Sequence, residues 1–414
     1  MKNTPKGLRL HICLFGKRNV GKSSLLNAVT RQHVSIVSDI AGTTTDPVEK
    51  PMELLPIGPV QFIDTAGIDD SGALGAQRVH KTRKVMERTD LAILVTTAAS
   101  WNQFEETLIE TFTTSQIPFL VVFNKVDLYP PKPDQKQWLE AHHIPVVETI
   151  AVQHEGIDKL REALIQMTPE KFLASSTIVG DLIAPGELVM LVVPIDLEAP
   201  KGRLILPQVQ TIRDILDHEA YCMVVKEREL RAALDRLKQP PALVVTDSQA
   251  FLKVSADTPP DIPLTSFSIL FARLKGDLTT FVEGAMAIDR LKPNDRVLIA
   301  EACSHHPIGE DIGRVKIPHW LKQYVGGDLQ FEHVQGHDFP EDLKGIDMII
   351  HCGACTFNPR QMYTRIMRCK EAGVPITNYG VTIAYTLSIF ERALAPFPEA
   401  LKVYRLNRMK RANR

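Results

Sequence analysis

The sequence predicts an α/β protein with a doubly wound, mostly parallel sheet in its N-terminal part, followed by two smaller α/β domains. Three observations support this fold class. Short aliphatic and β-branched runs alternate with segments of helical spacing through residues 1–170, which is the pattern of βαβ units. Residues 266–414 repeat the alternation after a less regular middle segment. The 414 residues are also enough for two or three domains of ordinary size.

The first predicted domain, residues 1–170, contains the clearest elements. Its apolar runs are continuous, as expected for parallel strands that are buried on both faces. The predicted strands are LRLHICLFG, QFIDTAG, LAILVTT and FLVVFNK, at 8–16, 61–67, 91–97 and 119–125. The predicted helices are SLLNAVTRQ and GIDKLREALIQM, at 24–32 and 156–167.

The second predicted domain, residues 171–265, is a small βα array without a cluster of chemically reactive residues. It ends in the proline-rich segment SADTPPDIP, 255–263, which we interpret as a linker. Its predicted elements are helices at 209–216 and 227–237 and strands at 221–225 and 242–246.

The third predicted domain, residues 266–414, repeats the strand and helix alternation. The basic tail KVYRLNRMKRANR, 402–414, is interpreted as a solvated terminus, with binding to an acidic partner as the alternative. The predicted strands are 296–300, 330–334, 347–350 and 375–377, and the predicted helices are 266–274, 278–291, 312–324, 360–371 and 382–393.

Composition excludes several classes of protein. With 48 Lys and Arg against 49 Asp and Glu, the net charge of −1 argues against a whole-chain nucleic-acid binder. No apolar run approaches the ~18 residues that a membrane helix needs, so no membrane partner is expected. Six cysteines are too few for a disulfide scaffold. The N-terminal residues lack the pattern of a secretory signal. We therefore expect a cytoplasmic protein.

The segment GKRNVGKS, 16–23, matches the phosphate-loop pattern G-x-x-x-x-G-K-[ST] between a strand and a helix. Backbone N–H groups at the start of the helix would form an anion-binding nest. Lys22 would contact the β- and γ-phosphates, and the Ser23 hydroxyl would bind Mg²⁺. The other predicted nucleotide contacts in this loop are Gly16, Asn19, Val20, Gly21 and Ser24.

Two further motifs complete a phosphate and magnesium site. DTAG, 64–67, ends a predicted strand, where Asp64 would hold Mg²⁺ through water and the Gly67 amide would reach the γ-phosphate, with Thr65 between them. GTTTD, 42–46, precedes it, and Thr44 is the predicted switch threonine and magnesium ligand. The order of these motifs along the chain makes a chance coincidence negligible.

NKVD, 124–127, predicts guanine as the base. The Asp127 carboxylate can accept two N–H bonds from the guanine edge, which adenine cannot donate. Asn124 would support the loop, and the stem of Lys125 would pack on the ring. Ala151 fits a second base loop, although Ile150 stands beside it where a serine is usual in related proteins.

These motifs resemble the translation-factor-like GTPases, particularly the branch containing the tRNA-modification GTPase, Era and Der. The resemblance covers about residues 8–168 and implies binding of GTP and GDP with Mg²⁺. Ile68 stands where Ras-like GTPases have a water-orienting glutamine, so intrinsic hydrolysis should be slow. Asn19 matches an asparagine that coordinates K⁺ in this branch, which we favour over its alternative role as a turn residue.

A second constellation combines Cys303-Ser304-His305 with His351-Cys352-Gly353-Ala354-Cys355, each after a predicted strand. Loops beyond the carboxyl ends of parallel strands converge at one edge, so these side chains can face one point. Zinc would take four of the thiolates and imidazoles, whereas a 4Fe–4S cluster would use three cysteines and one non-cysteine ligand. Ordinary buried cysteines are the minority interpretation. Cys13, Cys222 and Cys369 are predicted to be core residues.

The GTPase motifs together with C-x-H-x₄₅-H-C-x-x-C resemble one family, the HydF maturases of FeFe-hydrogenase. The resemblance covers essentially the whole chain. It implies GTPase, dimerisation and cluster-binding domains in a homodimer, and a 4Fe–4S cluster on Cys303, Cys352 and Cys355. His305 and His351 are candidates for the fourth ligand, with Glu301 a weaker one. It also implies a scaffold that receives a diiron precursor made with two radical-SAM maturases and delivers it to apo FeFe-hydrogenase.

Two other functions remain open from the sequence. One is a ribosome- or tRNA-associated GTPase with a C-terminal zinc domain, which the GTPase branch and the basic tail favour. The near-neutral charge and the lack of an RNA-binding module argue against it. The other is a non-enzymatic metal-binding protein with a vestigial GTPase, against which the intact Lys22, Ser23, Asp64 and Asp127 argue.

Overall fold

The computed structural model divides the chain into two compact units, Met1–Ser176 and Thr177–Arg414. It describes residues 5–30, 47–65, 83–169, 177–194, 204–302 and 311–412. Within these ranges, no helix combines the length and the hydropathy that crossing a bilayer requires.

The first unit contains a six-stranded sheet in the order β2-β3-β1-β4-β5-β6. Only β2 is antiparallel to its neighbour, β3. The strands are β1 (Leu10–Phe15), β2 (Val48–Leu54), β3 (Gly58–Asp64), β4 (Leu91–Thr96), β5 (Phe119–Asn124) and β6 (Val146–Thr149). The helices are α1 (Lys22–Thr30), α2 (Gln103–Thr114), α3 (Pro133–Ala141) and α4 (Ile157–Gln166).

Helices cover both faces of this sheet, which explains the continuous apolar strand β1. Its alternate residues Ile12 and Leu14 pack into one core with α1 and α4. Cys13 and Phe15 pack into a second core with α2 and α3. A strand with two buried faces favours apolar residues at most positions, and in β1 the buried His11 is the exception. The predicted doubly wound sheet is confirmed, and Cys13 is a core residue as expected.

The second unit contains two parallel four-stranded sheets, in the orders β10-β9-β7-β8 and β12-β11-β13-β14. The strands are β7 (Leu188–Val192), β8 (Tyr221–Val225), β9 (Leu243–Thr246), β10 (Leu264–Ser266), β11 (Arg296–Glu301), β12 (Gln330–Gln335), β13 (Met348–His351) and β14 (Ile376–Asn378). The helices are α5 (Leu206–Asp217), α6 (Leu230–Leu234), α7 (Phe251–Asp257), α8 (Phe267–Lys275), α9 (Leu278–Met286), α10 (Ile317–Val325), α11 (Pro359–Ala372), α12 (Tyr379–Thr386), α13 (Phe390–Leu394) and α14 (Pro398–Ala412).

Two predictions about helix length are wrong. The helix predicted at 227–237 is only the five residues of α6. The helix predicted at 382–393 is interrupted, because Ser388 adopts a positive φ of 59° between α12 and α13. A non-glycine residue in this conformation cannot continue a right-handed helix.

The linker prediction for 255–263 is also wrong. The segment ends α7 and leads directly into β10, which pairs in parallel with β9. It therefore belongs to the connection between β9 and β10, which are neighbouring strands of one sheet. Arg392 holds the segment by donating hydrogen bonds to the carbonyl oxygens of Ser255, Thr258 and Pro259.

The basic tail is not simply a solvated terminus, because most of it forms α14. Arg405 of this helix donates to Glu391 at 2.8 Å, and Arg411 pairs with Asp289. The Tyr404 ring also packs edge-on against an aromatic ring of α13 at 5.0 Å. Part of the tail's positive charge is therefore neutralised within the chain.

Candidate functional site

The phosphate loop joins β1 to α1 and depends on two glycines with positive φ. A Cβ on Gly16, whose φ is 145°, would lie 2.1 Å from the Val95 carbonyl oxygen. A Cβ on Gly21, whose φ is 95°, would lie 2.2 Å from the Asn124 side-chain nitrogen. Both positions exclude a side chain and allow the close backbone approach that a phosphate nest requires. The predicted strand, loop and helix are therefore confirmed here.

The magnesium-binding side chains lie together at the ends of β3 and the loop. Ser23 Oγ donates to Asp64 Oδ2 at 2.6 Å. Burial raises the pKa of Asp64, while the Ser23 hydroxyl and the Lys22 ammonium act in the opposite direction. Asp64 Oδ1 is buried and accepts no hydrogen bond from the described residues. The Ser23 hydroxyl and the Asp64 carboxylate are therefore adjacent oxygen donors, and Asp64 Oδ1 is available as a ligand. Such donors fit the octahedral, oxygen-rich coordination of Mg²⁺.

The Lys22 side chain is hydrogen-bonded to the backbone of its own loop. Its Nζ donates to the carbonyl oxygens of Gly16 at 2.8 Å and Lys17 at 2.7 Å. Ser24 lies beside it in the first turn of α1. Thr65 is turned to the backbone, where its hydroxyl donates to the Leu14 carbonyl oxygen at 2.6 Å.

Asn124 connects the three nucleotide loops. Its Nδ2 donates to the Val20 carbonyl oxygen at 3.0 Å, and its Oδ1 accepts from Thr149 Oγ1 and the Ala151 N–H, both at 3.1 Å. The phosphate loop and both base loops thus share one buried amide. The role of Ala151 in a second base loop stays a prediction, and its N–H contacts Asn124 of the first base motif.

The rest of the NKVD motif lies on an exposed turn after β5. Lys125 has a positive φ of 58°, and its Nζ donates to the Asn19 carbonyl oxygen at 2.8 Å. Asn19 itself has a positive φ of 61°. Asp127 is exposed two residues further on, where its carboxylate is accessible to a base.

Several predicted site residues lie outside the residues that the structure describes. In the first unit these are Thr44, Gly67 and Ile68. In the second unit they are Cys303 and His305. Their roles stay predictions.

The two halves of the cysteine motif follow neighbouring parallel strands. β11 and β13 pair in register, with Ala300 opposite His351, so both strands end at the same sheet edge. The Cys352 N–H donates to the Ala300 carbonyl oxygen at 2.9 Å. Ala302 precedes Cys303, and its N–H donates to Cys352 Sγ at 3.1 Å. The predicted convergence of the two loops is therefore supported by the described residues on either side.

Backbone N–H groups lie close to the Cys352 sulfur at the C-x-x-C turn. A second N–H, that of Ala354, approaches Cys352 Sγ at 3.5 Å. Asn378, at the end of β14, donates to the Cys352 carbonyl oxygen at 3.3 Å. Burial raises the pKa of Cys355, and the positive charge of Lys275 lowers it in part. Backbone N–H groups directed at sulfur are a donor arrangement that suits a metal thiolate.

Both ring nitrogens of His351 are engaged within the fold. Arg365 Nη1 lies 2.7 Å from Nε2, and the Cys352 carbonyl oxygen lies 2.9 Å from Nδ1. A guanidinium only donates, so Nε2 accepts and the proton belongs on Nδ1, which donates to the carbonyl. Burial and the Arg365 charge lower the pKa of His351 to about 3, so the ring is neutral. His351 orients the Cys352 backbone here and would have to leave Arg365 to bind a metal through Nε2.

Arg365 is buried in a specific pocket that sequence reasoning missed. Its guanidinium lies 4.5 Å from the Phe357 ring centroid and 4.8 Å from that of Phe339. It also donates to the Gly336 carbonyl oxygen at 2.5 Å. The available signal was its place in α11 between the apolar residues Met362, Ile366 and Cys369.

Glu301 lies at the same edge, as the last residue of β11. It is buried and accepts hydrogen bonds from Gln335 at 3.0 Å and the Tyr379 hydroxyl at 3.2 Å. Burial, with nearby negative charge, raises the pKa of Tyr379 well above its usual value. The described residues contain no cluster of three metal-ligating side chains.

The remaining cysteines are separate from this edge. Burial raises the pKa of both Cys13 and Cys369 to about 12, and it also raises the pKa of the partly buried Cys222. Cys369 is wholly buried among the apolar residues of the second unit's core. Cys13 and Cys369 are therefore core residues as predicted, whereas Cys222 is only partly buried and packs against the core.

Solved structures resemble parts of the chain weakly. Aquifex aeolicus Era bound to GDP·AlF₄⁻ is 20% identical, with a TM-score of 0.34, over 60% of this chain and 99% of that one. The FeoB G-domain of Methanococcus jannaschii is 22% identical, with a TM-score of 0.31, over 39% of this chain and 97% of that one. Likeness of this degree supports no functional conclusion.

Curated relatives match the N-terminal part. The tRNA modification GTPase MnmE of Chromobacterium violaceum is 36% identical over 159 residues, which are 38% of this chain and 34% of that protein. MnmE of Acaryochloris marina is 35% identical over 175 residues, 41% of this chain and 36% of that protein. The chain thus spans about a third of the length of the curated relatives it matches.

Three family models cover most of the chain. The model of the 50S ribosome-binding GTPase matches residues 11–125, which contain the phosphate and magnesium motifs and the first two residues of NKVD. The first unit is therefore a GTPase domain that binds GTP and GDP with Mg²⁺. The dimerization domain of hydrogen maturase F matches residues 178–276, and its tetramerization domain matches residues 279–396. Because these two domains span more than half of the sequence behind a GTPase domain, the chain belongs to the hydrogen maturase F family of hydrogenase-maturation GTPases.

Proposed function

We propose that this GTPase is a scaffold that binds a 4Fe–4S cluster through Cys303, Cys352 and Cys355 and carries a diiron precursor to apo FeFe-hydrogenase. The observation that carries the proposal is the pair of N–H groups, from Ala302 and Ala354, that point at Cys352 Sγ. The cluster would supply an iron whose fourth ligand is exchangeable. A scaffold needs such an open position for its cargo.

The residues around the motif have defined roles in this proposal. The Ala302 and Ala354 N–H groups stabilise negative charge on the Cys352 sulfur. His351 and Asn378 hold the Cys352 carbonyl oxygen from two sides. The fourth ligand remains open between His305, His351 and Glu301, and the engaged nitrogens of His351 make it the least accessible of the described candidates.

The domain division and the partners are part of the same proposal. The dimerization and tetramerization matches support a homo-oligomer that begins with a dimer. They also support three domains, with the second boundary moved from residue 265 to about residue 277. Two radical-SAM maturases would make the precursor in the cytoplasm. The five described cysteines are all free thiols, as a reducing compartment favours.

We further propose that hydrolysis is slow and activated by potassium. Lys22, Asn19, Thr44, Asp64 and Gly67 would form the catalytic set, with Ser23 and Thr44 on Mg²⁺. The support for this role is the match of Asn19 to the potassium-coordinating asparagine of related GTPases, whereas its positive φ, at the bend of the phosphate loop, also fits a turn residue. A cation bound there would stabilise the charge that develops on the transferred phosphoryl group.

The alternative function is a tRNA- or ribosome-associated GTPase with a zinc site. The names of the relatives matched by the first unit favour it. The GTPase model ends at residue 125, whereas the cysteine motif lies in the second unit. The two functions differ in the metal that they require.

Anaerobic reconstitution tests the proposal. Wild type and the six single Cys→Ser variants would be compared for iron, sulfide and zinc content, and for electron paramagnetic resonance after reduction. We expect cluster loss at Cys303, Cys352 and Cys355, because two thiolates cannot hold four irons. The three core cysteines serve as matched controls and should keep the cluster. One zinc and no iron in wild type would support the alternative instead.

A further inference from the structure

Lys17, which occupies a variable position of the phosphate loop, forms a buried ion pair with Glu105 of α2. Lys17 Nζ lies 2.7 Å from Glu105 Oε2, with the Glu105 side chain fully buried and that of Lys17 12% exposed. The same Nζ donates to the Ser100 carbonyl oxygen at 2.5 Å and lies 5.3 Å from the Phe104 ring centroid. The ammonium is therefore held by the turn before α2 and by the first turn of that helix.

Glu105 is itself fixed to the sheet. Its Oε2 accepts the Asn102 N–H at 2.9 Å, which caps α2, and its Oε1 accepts from Thr96 Oγ1 at 3.3 Å. Thr96 ends β4, the strand next to β1, and β1 leads into the phosphate loop. The carboxylate is thus a rigid anchor for the first residues of the loop.

The backbone of Lys17 holds the phosphate-binding lysine. Its carbonyl oxygen accepts from Lys22 Nζ at 2.7 Å, beside the Gly16 carbonyl oxygen at 2.8 Å. We propose that Lys17 and Glu105 are positioning residues, which fix this carbonyl and so place Lys22 for the β- and γ-phosphates. Since Glu105 compensates its charge, Lys17 acts through Lys22 and is not a phosphate ligand.

The affinity of the full-length protein for GTPγS and for GDP, measured by calorimetry with Mg²⁺, tests this pair. Glu105→Gln retains an oxygen for the Asn102 cap but removes the charge, and Lys17→Met removes the ammonium. We expect each single change to raise both dissociation constants about tenfold, and the double change to raise them about tenfold as well, because the two residues act as one unit. Lys17→Arg should stay within about threefold of wild type, since it keeps the charge.

A surface pair of the same unit provides the control. Lys136 and Glu148 form an ion pair in which each side chain is 42% exposed. Lys136→Met and Glu148→Gln should leave affinity within about twofold, as exposed pairs contribute little.

Three outcomes would overturn the proposal. In the first, the dissociation constants of the double variant rise by the product of the two single effects. In the second, the variants have a lower melting temperature but unchanged nucleotide affinity. The third is a fall in kcat without any loss of affinity. If Lys17→Met does not fold, Glu105→Gln and Lys17→Arg still test the proposal, because unchanged affinity in Glu105→Gln would overturn it.

Discussion

The phosphate loop and the cysteine motif both follow the carboxyl ends of parallel strands, but different residues hold them in place. The phosphate loop is held mostly by the nucleotide motifs, since Lys22 donates to Gly16 and Lys17, and Ser23 to Asp64, with Glu105 of α2 as an anchor from outside them. The cysteine turn is organised by residues outside its motif. These are Ala302, Arg365 and Asn378, which reach it from three other elements.

This difference has a physical basis. A phosphate site needs backbone N–H groups, and a short glycine-containing loop at a helix N-terminus supplies them locally. A sulfur-rich site needs a buried environment that compensates negative charge and fixes the ligands' backbone, and several elements have to assemble it. Substitutions in the phosphate loop should therefore change nucleotide affinity directly, whereas substitutions around the cysteine turn should change the stability of the fold there.

The largest expected effect tests whether guanine recognition depends on the single motif residue Asp127. Asp127→Asn should lower GTP affinity about a thousandfold, because two charge-assisted hydrogen bonds of about 2 kcal/mol each are lost. Affinity for xanthosine triphosphate should rise. Competitive titration with both nucleotides measures the change, and Asp134→Asn, an exposed residue in the first turn of α3, is the control. Unchanged GTP affinity would remove Asp127 from the base site.

The second prediction tests the dependence of the cysteine turn on a distant helix. Arg365→Met should destabilise the fold around residues 348–357 by about 3 kcal/mol, because His351 loses its buried donor. Hydrogen exchange of peptides from this region measures the loss, and GTP affinity should not change. Lys370→Met, which is on the same helix with a 51% exposed side chain, is the matched control. Equal protection in the two variants would contradict the assigned role of Arg365.

A smaller effect concerns the cation at the phosphate loop. GTP turnover should rise about tenfold when potassium replaces sodium at constant ionic strength, because a positive charge stabilises the transition state. Asn19→Ala should abolish the rise. Equal rates of the wild type in the two salts would exclude potassium activation.

The smallest expected effect is a pH dependence of the first unit. Burial lowers the pKa of His11 below 6.5, against smaller opposing contributions from Asp90 and others. Below pH 6.5 the unfolded chain therefore binds a proton that the folded chain does not, and stability should fall as the pH decreases. Urea unfolding at pH 7.5 and 5.5 should show this loss, and His11→Gln should reduce it. An unchanged difference in His11→Gln would assign the pH dependence to other groups.

Much of the nucleotide site was predictable from short segments. GKRNVGKS, DTAG and NKVD each contain both the ligand atoms and the turn residues that present them, so spacing alone indicated their chemistry. What could not be predicted were the contacts between segments. The bond from Asn124 to Val20 and the pair of Lys17 with Glu105 join residues far apart in the chain.

The cysteine motif shows more clearly which contacts could not be predicted from the sequence. The sequence identified Cys352, Cys355 and His351 and their place after a strand. It did not indicate that both nitrogens of His351 are engaged, because Arg365 comes from a separate helix.

By itself the sequence determined the alternation of elements, the nucleotide motifs and the candidate thiolates, since these depend on periodicity and local geometry. Only the tertiary structure decided which strand ends are neighbours and which polar groups are engaged. It also decided that the segment 255–263 lies within one sheet rather than between domains. These features depend on long-range packing and on the cost of leaving buried polar groups unpaired, which no short segment encodes.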